Sequence, residues 1–586
     1  MNRAKRRKSK RSAKRAESRK PAPRRDPPEV LHALQTAAQF HRAGNLQGAA
    51  AIYQQVLARC PEHPDALHLL GLALHQAGQH AQAVELIDRA IAVDGKQAHY
   101  HCNLADALRD LGRYTEAERS CRRALKLKPD YLEAYNNLGN ALRDQGQSEA
   151  ALEAYEQALA LYPDHADVLA NRADLLEMTN QVEAAWTAAT EALVRAPGHL
   201  LLNVIAAKCE RRRGDLEAAV ARLAALDDVR GVPTHEVRVH FELGRLYDRV
   251  AAADKAIINL TRGNEILARL GGTKGEDDRR ARLLSIAVLT ERFTPDWVET
   301  WSPPVESDAG ESPVFLVGFP RSGTTLLDQI LDSHPGLQTV EERPLLLSLI
   351  QALHVSGRAE PNALASLTAS DIDALRRVYW AKAGDCLERT PGTLLVDKYP
   401  LNILYLGLIY RVFPRAKVIV ALRHPCDVVL SCFMQDFRMN DFMAHFTSFD
   451  SSAAFYAATM GLWQRYQSAL PLDAHQIRYE DLVGDFDDAA RRVLDFLGVG
   501  WDARVRDFAG HAAARGWIDT PSYADVTQPI FNRAVGRWQR YAGHLAPQFD
   551  RLRPFVEAFG YDPEALDAAR RAAVSETDGE AQRAAG

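Results

Sequence analysis

Small and apolar positions recur along residues 30–270 with one constant beat. Gly44, Gly78, Gly112, Gly146, Asn180 and Gly214 fall at an interval of about 34 residues. Other small residues keep step, at Gly71/Ala83/Ala90, Ala105/Ala117/Ala124, Gly139/Ala151/Ala158 and Ala173/Ala185/Ala192, where two helices of a pair have to approach closely. Pro61, Pro129, Pro163 and Pro197 each follow the second helix of a repeat, because the ring cannot continue a helix. The glycines predict tight turns between helices, and Asn180 is a substitute that also tolerates left-handed geometry. Six repeats are clear, and a weaker seventh, carrying Gly244 and Ala256, follows a short insertion.

Beyond residue 312 the pattern changes. VFLVG (314–318) is a short β-branched and apolar run, as expected of a buried strand, and TLLDQILDSHP predicts a helix ended by Pro335. KVIVALRHPCDVVLSCF (417–433) gives the same order of buried strand, turn and helix. Residues 271–312, with GGTKGEDDRR and then WSPPVESDAGESP, lose the repeat and predict a connector that is part helical. The expected organisation is a basic disordered arm (1–28), a helical array (29–270), the connector (271–312), an α/β domain with a parallel sheet (313–565) and a flexible tail (566–586).

Charge and cysteine content narrow the class. The net charge of −4 argues against a bulk nucleic-acid binder, although Lys and Arg dominate the first 25 residues. That arm is too poor in large apolar side chains to offset chain entropy. It reads either as a solvated tail or as an electrostatic contact to RNA, an anionic membrane or an acidic partner. Seven scattered cysteines without CxxC spacing suit a reducing compartment and supply neither a disulfide framework nor a metal site. No apolar run reaches the ~18 residues needed to span a bilayer, and no apolar core follows the basic arm as a secretory signal requires. The expected location is cytoplasmic.

The turn FPRSGTT joins the first strand to a helix N-terminus, where converging N–H groups and the helix dipole favour an anion. Its spacing from Gly318 to Gly323 copies a nucleotide P-loop, but Thr324 stands at the Walker lysine position, which disfavours a magnesium-assisted kinase.

Two resemblances follow. YNNLGNALRDQGQSEAALEAYEQALALYP is similar to the tetratricopeptide family. It implies a right-handed α-solenoid whose concave face binds a protein or peptide, with Asn103, Asn136, Asn137, Asn140 and Asn171 as candidates to line it. GFPRSGTTLLDQILDSHP resembles the 5′-phosphosulfate loop of sulfotransferases that use 3′-phosphoadenylyl sulfate (PAPS), nearest to the tyrosylprotein branch and to bacterial fusions with tetratricopeptide repeats. The resemblance implies a P-loop-like three-layer α/β domain, PAPS as donor, an acceptor hydroxyl and no metal.

It also implies roles. Arg321, Ser322, Gly323, Thr324 and Thr325 hold the 5′-phosphosulfate, Arg423 and Ser431 the 3′-phosphate, and Tyr479 in QIRYEDLV the nucleotide, although core packing is the other reading of that tyrosine. QTVEERPLL resembles the segment that carries the catalytic base, at Glu342, with Glu341 as competitor and His334 as fallback. LLVDKYPLN resembles the family's strand followed by Lys-x-Pro, so Lys398 and Arg321 are the donors to the leaving oxygen. In PSYADVTQPIFNRAVGRWQRY, Ser522 matches a serine near the transferring group, and Arg537 stands where the tyrosyl branch has a basic cofactor ligand. Arg533 adds charge without a firm match, and Gln435 and Gln528 depart from that branch. A protein tyrosine is the leading acceptor. The alternatives are a glycan, lipid or small-molecule hydroxyl, or a scaffold with a vestigial transferase domain.

Overall fold

A computed structural model describes residues 27–226, 231–301, 312–437, 439–515 and 526–573. Residues 1–26 of the expected arm, 302–311 of the connector, Ser522 and 574–586 of the expected tail lie outside the described residues. Pro28 already begins a helix and 566–573 is helical, with Leu566 buried in the core, so these residues are neither arm nor flexible tail. Packing divides the chain into two compact units, one ending at Leu175 and one beginning at Leu176. No described helix is long and apolar enough to cross a membrane.

In the first unit the helices Pro28–Arg42, Leu46–Arg59, Pro64–Gln76, His80–Val93, Ala98–Asp110, Tyr114–Leu127, Leu132–Arg143 and Ser148–Leu161 follow one another with short turns. Gly44, Gly78, Gly112 and Gly146 hold φ of 73–77° in those turns, a region glycine enters without Cβ strain. The small positions mark close helix approach: a Cβ on Gly139 would lie 2.4 Å from the Tyr155 ring, and one on Gly71 2.7 Å from Ile87. The asparagines divide. Asn103 meets His68 at 2.8 Å, Asn171 donates to Asn136 at 2.9 Å and Asn137 to the Cys102 sulfur at 3.5 Å, so these link successive repeats. Asn140 instead is buried and accepts from the Tyr155 hydroxyl at 2.8 Å, which removes it from any binding face. His75 and His80 share a 2.9 Å contact beside Asp110, a grouping that spacing along the chain does not reveal.

The second unit opens with the same architecture. Asn180 takes φ 64° and Gly214 φ 89° in the turn positions. Helices Leu200–Arg213, Leu216–Ala224 and Pro233–Arg249 lead into Ala253–Arg292, a long helix broken only at Gly272 (φ 58°, ψ −160°). The turn before it uses Ala251 at φ 60° where earlier repeats use glycine. The expected boundary at residue 270 lies two residues before the break at Gly272.

Five parallel strands follow: β1 (Val314–Gly318), β2 (Leu337–Glu341), β3 (Leu394–Lys398), β4 (Lys417–Leu422) and β5 (Asp473–Arg478), in the order β2-β3-β1-β4-β5. Alternate residues enter two separate cores. Phe315, Val317, Leu395, Val418 and Val420 join one; Val314, Leu316, Val396, Ile419 and Ala421 join the other. Both faces are thus covered, which is why the strands read as continuous apolar runs. The first core also takes in Phe241, Leu260, Ile286, Phe293, Trp297 and Trp301 from the helices preceding β1. The change of composition at Pro313 is not a break in packing.

Candidate active site

The strands carry their chemistry at one edge, because side chains beyond the carboxyl ends of parallel strands face a common crevice. Gly318 closes β1 before the 319–323 turn, Glu341 and Glu342 end β2, Lys398 ends β3, Arg423 follows β4 and Tyr479 follows β5. A cavity of about 160 Å³ opens there, lined among others by Arg321, Gly323, Thr324, Thr325, Glu342, Arg423 and Tyr479.

The loop after β1 is shaped by backbone constraint. A Cβ on Gly318 would lie 2.6 Å from the Ala421 carbonyl of the neighbouring strand. Gly323 is the N-cap of Thr324–Asp332 at φ 94°, supplies no capping side chain, and would drive a Cβ to 2.7 Å from the Tyr479 ring. The first-turn N–H groups of a helix so begun suit an anion. Arg321 takes φ 70°, a strained value for a non-glycine residue, and its Nε donates to the Ser431 hydroxyl at 3.1 Å. Arg423 donates to the Arg321 carbonyl at 3.2 Å and to the Ala534 carbonyl at 2.6 Å, and its guanidinium lies 5.0 Å from the centre of the Tyr479 ring. Its Nε is buried without a partner among the described residues. Two guanidinium groups and a hydroxyl therefore gather beside the helix N-terminus, a donor set that fits a doubly charged nucleotide. Ser322 and Thr324 are buried, and Ser322 N–H donates to the Phe319 carbonyl at 3.2 Å.

Across the cavity, register places Glu341 directly beside Lys398. The Lys398 ammonium is fully buried and lies 3.1 Å from Glu341 and 3.0 Å from Glu342. Burial would depress its pKa, but the Glu342, Glu341 and Asp328 carboxylates outweigh that and hold it above the ordinary lysine range. The two glutamates differ in access: the Glu341 side chain is 5% exposed and Glu342 32%, and Glu342 lines the cavity. Glu342 also adopts φ 46° while its N–H donates to the Lys398 carbonyl at 2.8 Å, so strained backbone turns its side chain towards the opening. His334 bonds the Gly500 carbonyl through Nε2 (2.8 Å) and the Gly336 N–H through Nδ1 (3.0 Å), which makes it a turn residue.

Arg537 departs from the expectation. Its guanidinium pairs with Asp248 at 2.9 Å and is absent from the cavity lining, because a buried carboxylate far upstream captures it. Arg533 stacks on Phe531, 3.4 Å from the ring centre. Sequence inspection also missed Asp427, whose carboxylate accepts from the Gly536 and Trp538 N–H groups at 2.8 Å and ties the 534–538 segment to the start of the helix after β4. Its place after a Pro at N1 is a recognisable capping signal. His424 stacks on Trp538, and burial, helped by Arg423, lowers its pKa to about 4, so it stays neutral. Tyr399, Phe437 and Met443 line the cavity with no local signal in the sequence.

A parallel α/β sheet with a glycine-bearing turn and a helix N-terminus after its central strand offers a donor set suited to an anion. Residues 313–503 match the model described as the sulfotransferase family, and residues 40–106, 97–164 and 136–200 match tetratricopeptide repeat models. The chain is thus similar to tetratricopeptide repeats over 40–200 and to the sulfotransferase family over 313–503. An uncharacterized protein of Aquifex aeolicus is 26% identical over 53% of this chain but only 41% of its own length. Protein-tyrosine sulfotransferase 2 of Gallus gallus is 25% identical over 43% of this chain and 70% of its own. Among solved structures, a tetratricopeptide repeat protein from Parabacteroides merdae is 14% identical over 40% of this chain and 93% of that chain, with a TM-score of 0.36.

Proposed function

We propose that the protein transfers a sulfuryl group from PAPS to an acceptor hydroxyl, with a tyrosine of a protein or peptide as the leading acceptor. The observation that carries this reading is Glu342: a strained, cavity-lining carboxylate held 3.0 Å from a fully buried ammonium, opposite the Arg321–Ser431–Arg423 group. In the proposed reaction, Arg321, Ser322, Gly323, Thr324 and Thr325 hold the 5′-phosphosulfate, while Arg423, Ser431 and Tyr479 hold the 3′-phosphate and nucleotide. The acceptor oxygen attacks sulfur in line as the bond from sulfur to the bridging phosphate oxygen breaks. The acceptor proton passes to Glu342, and the products are a sulfate ester and adenosine 3′,5′-bisphosphate.

Protonation of Glu342 weakens its hold on Lys398. The ammonium then gains a free N–H for the departing phosphate, alongside Arg321, at the moment negative charge grows there. The similarity to protein-tyrosine sulfotransferases and the aromatic lining at Tyr399, Phe437 and Phe531 favour a phenolic acceptor. The repeats are assigned to hold the acceptor or a partner protein.

Labelled-sulfate transfer from PAPS to a tyrosine-containing acidic peptide, with a lysate of the source cell as a second acceptor pool, tests the reading. Glu342→Gln is expected to lower turnover by about 10²–10⁴-fold while leaving bisphosphate affinity within a few fold. Label entering only a glycan, lipid or small molecule would redirect the acceptor assignment.

A further inference from the structure

Two segments that line the cavity have little regular structure of their own. Residues 434–437 and 439–447 bring Phe437 and Met443, with a short 3-10 turn at Met443–Thr447 as the only regular element among the described residues; residues 526–534 bring Val526, Gln528, Ile530 and Phe531. Phe437 and Met443 of the first segment share the cavity lining with Tyr399 and the proposed base Glu342.

The first segment and the stretch after the second are anchored from the helices Pro233–Arg249 and Ala253–Arg292. Arg245 pairs with Asp436, Arg282 with Asp441, and Arg279 donates to the Ala444 carbonyl and the Thr447 hydroxyl at 3.3 Å. The Asn264 amide donates to the Phe433 carbonyl at 3.0 Å. Asp248 holds the stretch that follows the second segment, accepting from Arg537 (2.9 Å), Arg540 (3.0 Å) and the Tyr541 hydroxyl (2.7 Å). Arg245 is itself held by the buried Glu242, which pairs with Arg211 of the preceding repeat at 2.6 Å. A loop with no ladder or long helix to fix it takes its position from such partly buried ionic anchors, and losing one partner leaves the other desolvated and unpaired.

We infer that the last helix pair of the repeats is the scaffold of the acceptor wall, with Arg245 and Asp248 as positioning residues and Phe437 and Met443 as specificity-determining residues. The nucleotide end of the cavity is built on Arg321, Arg423 and Tyr479, which follow β1, β4 and β5, and is expected to respond less to the Arg245 anchor than the 434–447 wall does. The inference rests on the transferase reading of the cavity, but its physical part does not need turnover to be tested.

The test compares the full-length protein with Arg245→Gln, Asp436→Asn and the conservative Arg245→Lys. Hydrogen–deuterium exchange, adenosine 3′,5′-bisphosphate affinity, and KM and kcat for a tyrosyl peptide are measured on each. Arg245→Gln and Asp436→Asn should both speed exchange across 434–447 by tenfold or more, leave exchange in β1 and β4 unchanged and keep bisphosphate affinity within twofold. KM for the peptide should rise about tenfold with kcat within threefold, and Arg245→Lys should recover part of both effects. Unchanged exchange at 434–447, or a rise that spreads equally through the sheet, would overturn the inference. If wild type does not sulfate the peptide, the acceptor reading fails, while exchange and bisphosphate affinity still decide whether the repeats hold this wall.

Discussion

The turns of the repeats and the rim of the cavity use left-handed backbone in opposite ways. In the repeats the conformation falls on Gly44, Gly78, Gly112, Gly146 and Gly214, or on Asn180, the residues that enter it at least cost, with Ala251 as the exception. At the cavity it falls on Gly323 but also on Arg321 (φ 70°) and Glu342 (φ 46°), which have no such licence. In the turns the backbone chooses the residue; at the rim the side chain is needed at that spot and the backbone yields. Each such residue carries strain of about 1–3 kcal/mol, and strain of this kind collects where a group has to be aimed.

The most severe way to break the contrast is to remove the ammonium that both glutamates face. Lys398→Met leaves Glu341 buried and unpaired and is expected to destabilise the protein by about 3–5 kcal/mol, read from urea unfolding. A loss under about 1 kcal/mol would mean the pair is not integral to this edge. Gly323→Ala is expected to cost about 2–3 kcal/mol, from its φ of 94° together with the 2.7 Å approach to Tyr479, and to weaken bisphosphate binding.

Asp397, beside Lys398, sharpens the comparison through pH. Burial raises its pKa to about 7, against the hydrogen bonds from Tyr379 and Asn402 that lower it. The folded state then keeps a proton that the unfolded chain gives up above its ordinary pKa of 3.8. Stability from this group is therefore full below about pH 4 and is lost as pH rises towards 7, by at most about 1.4 kcal/mol per pH unit. Asp397→Asn should remove that slope in thermal unfolding scans between pH 4.5 and 7.5. The smallest effect is the control from the repeats. Gly78→Ala meets no neighbouring atom within 4 Å, so it should cost only the backbone term, about 1 kcal/mol.

The parts legible from the residues were those fixed locally. Turn glycines, helix-ending prolines and the strand–turn–helix at 314–335 follow from φ preference and apolar runs, and they stand where the pattern puts them. Arg321, Ser431 and Arg423 come together because strand ends in a parallel sheet share one edge. What escaped depends on distant partners. Arg537 turns to Asp248, Asn140 turns inward to Tyr155, and Ala251 takes a glycine's conformation because flanking helices impose it. Phe437 and Met443 reach the cavity through anchors from Arg245 and Arg282, which lie over 150 residues upstream of the carboxylates they hold.

The most direct test is a calorimetric titration of adenosine 3′,5′-bisphosphate into the full chain and into Arg423→Ala. Saturable one-to-one binding, weakened tenfold or more by the substitution, is the expected result. Absence of saturable binding, or equal affinity in both proteins, would contradict the assignment of this crevice to the sulfuryl donor.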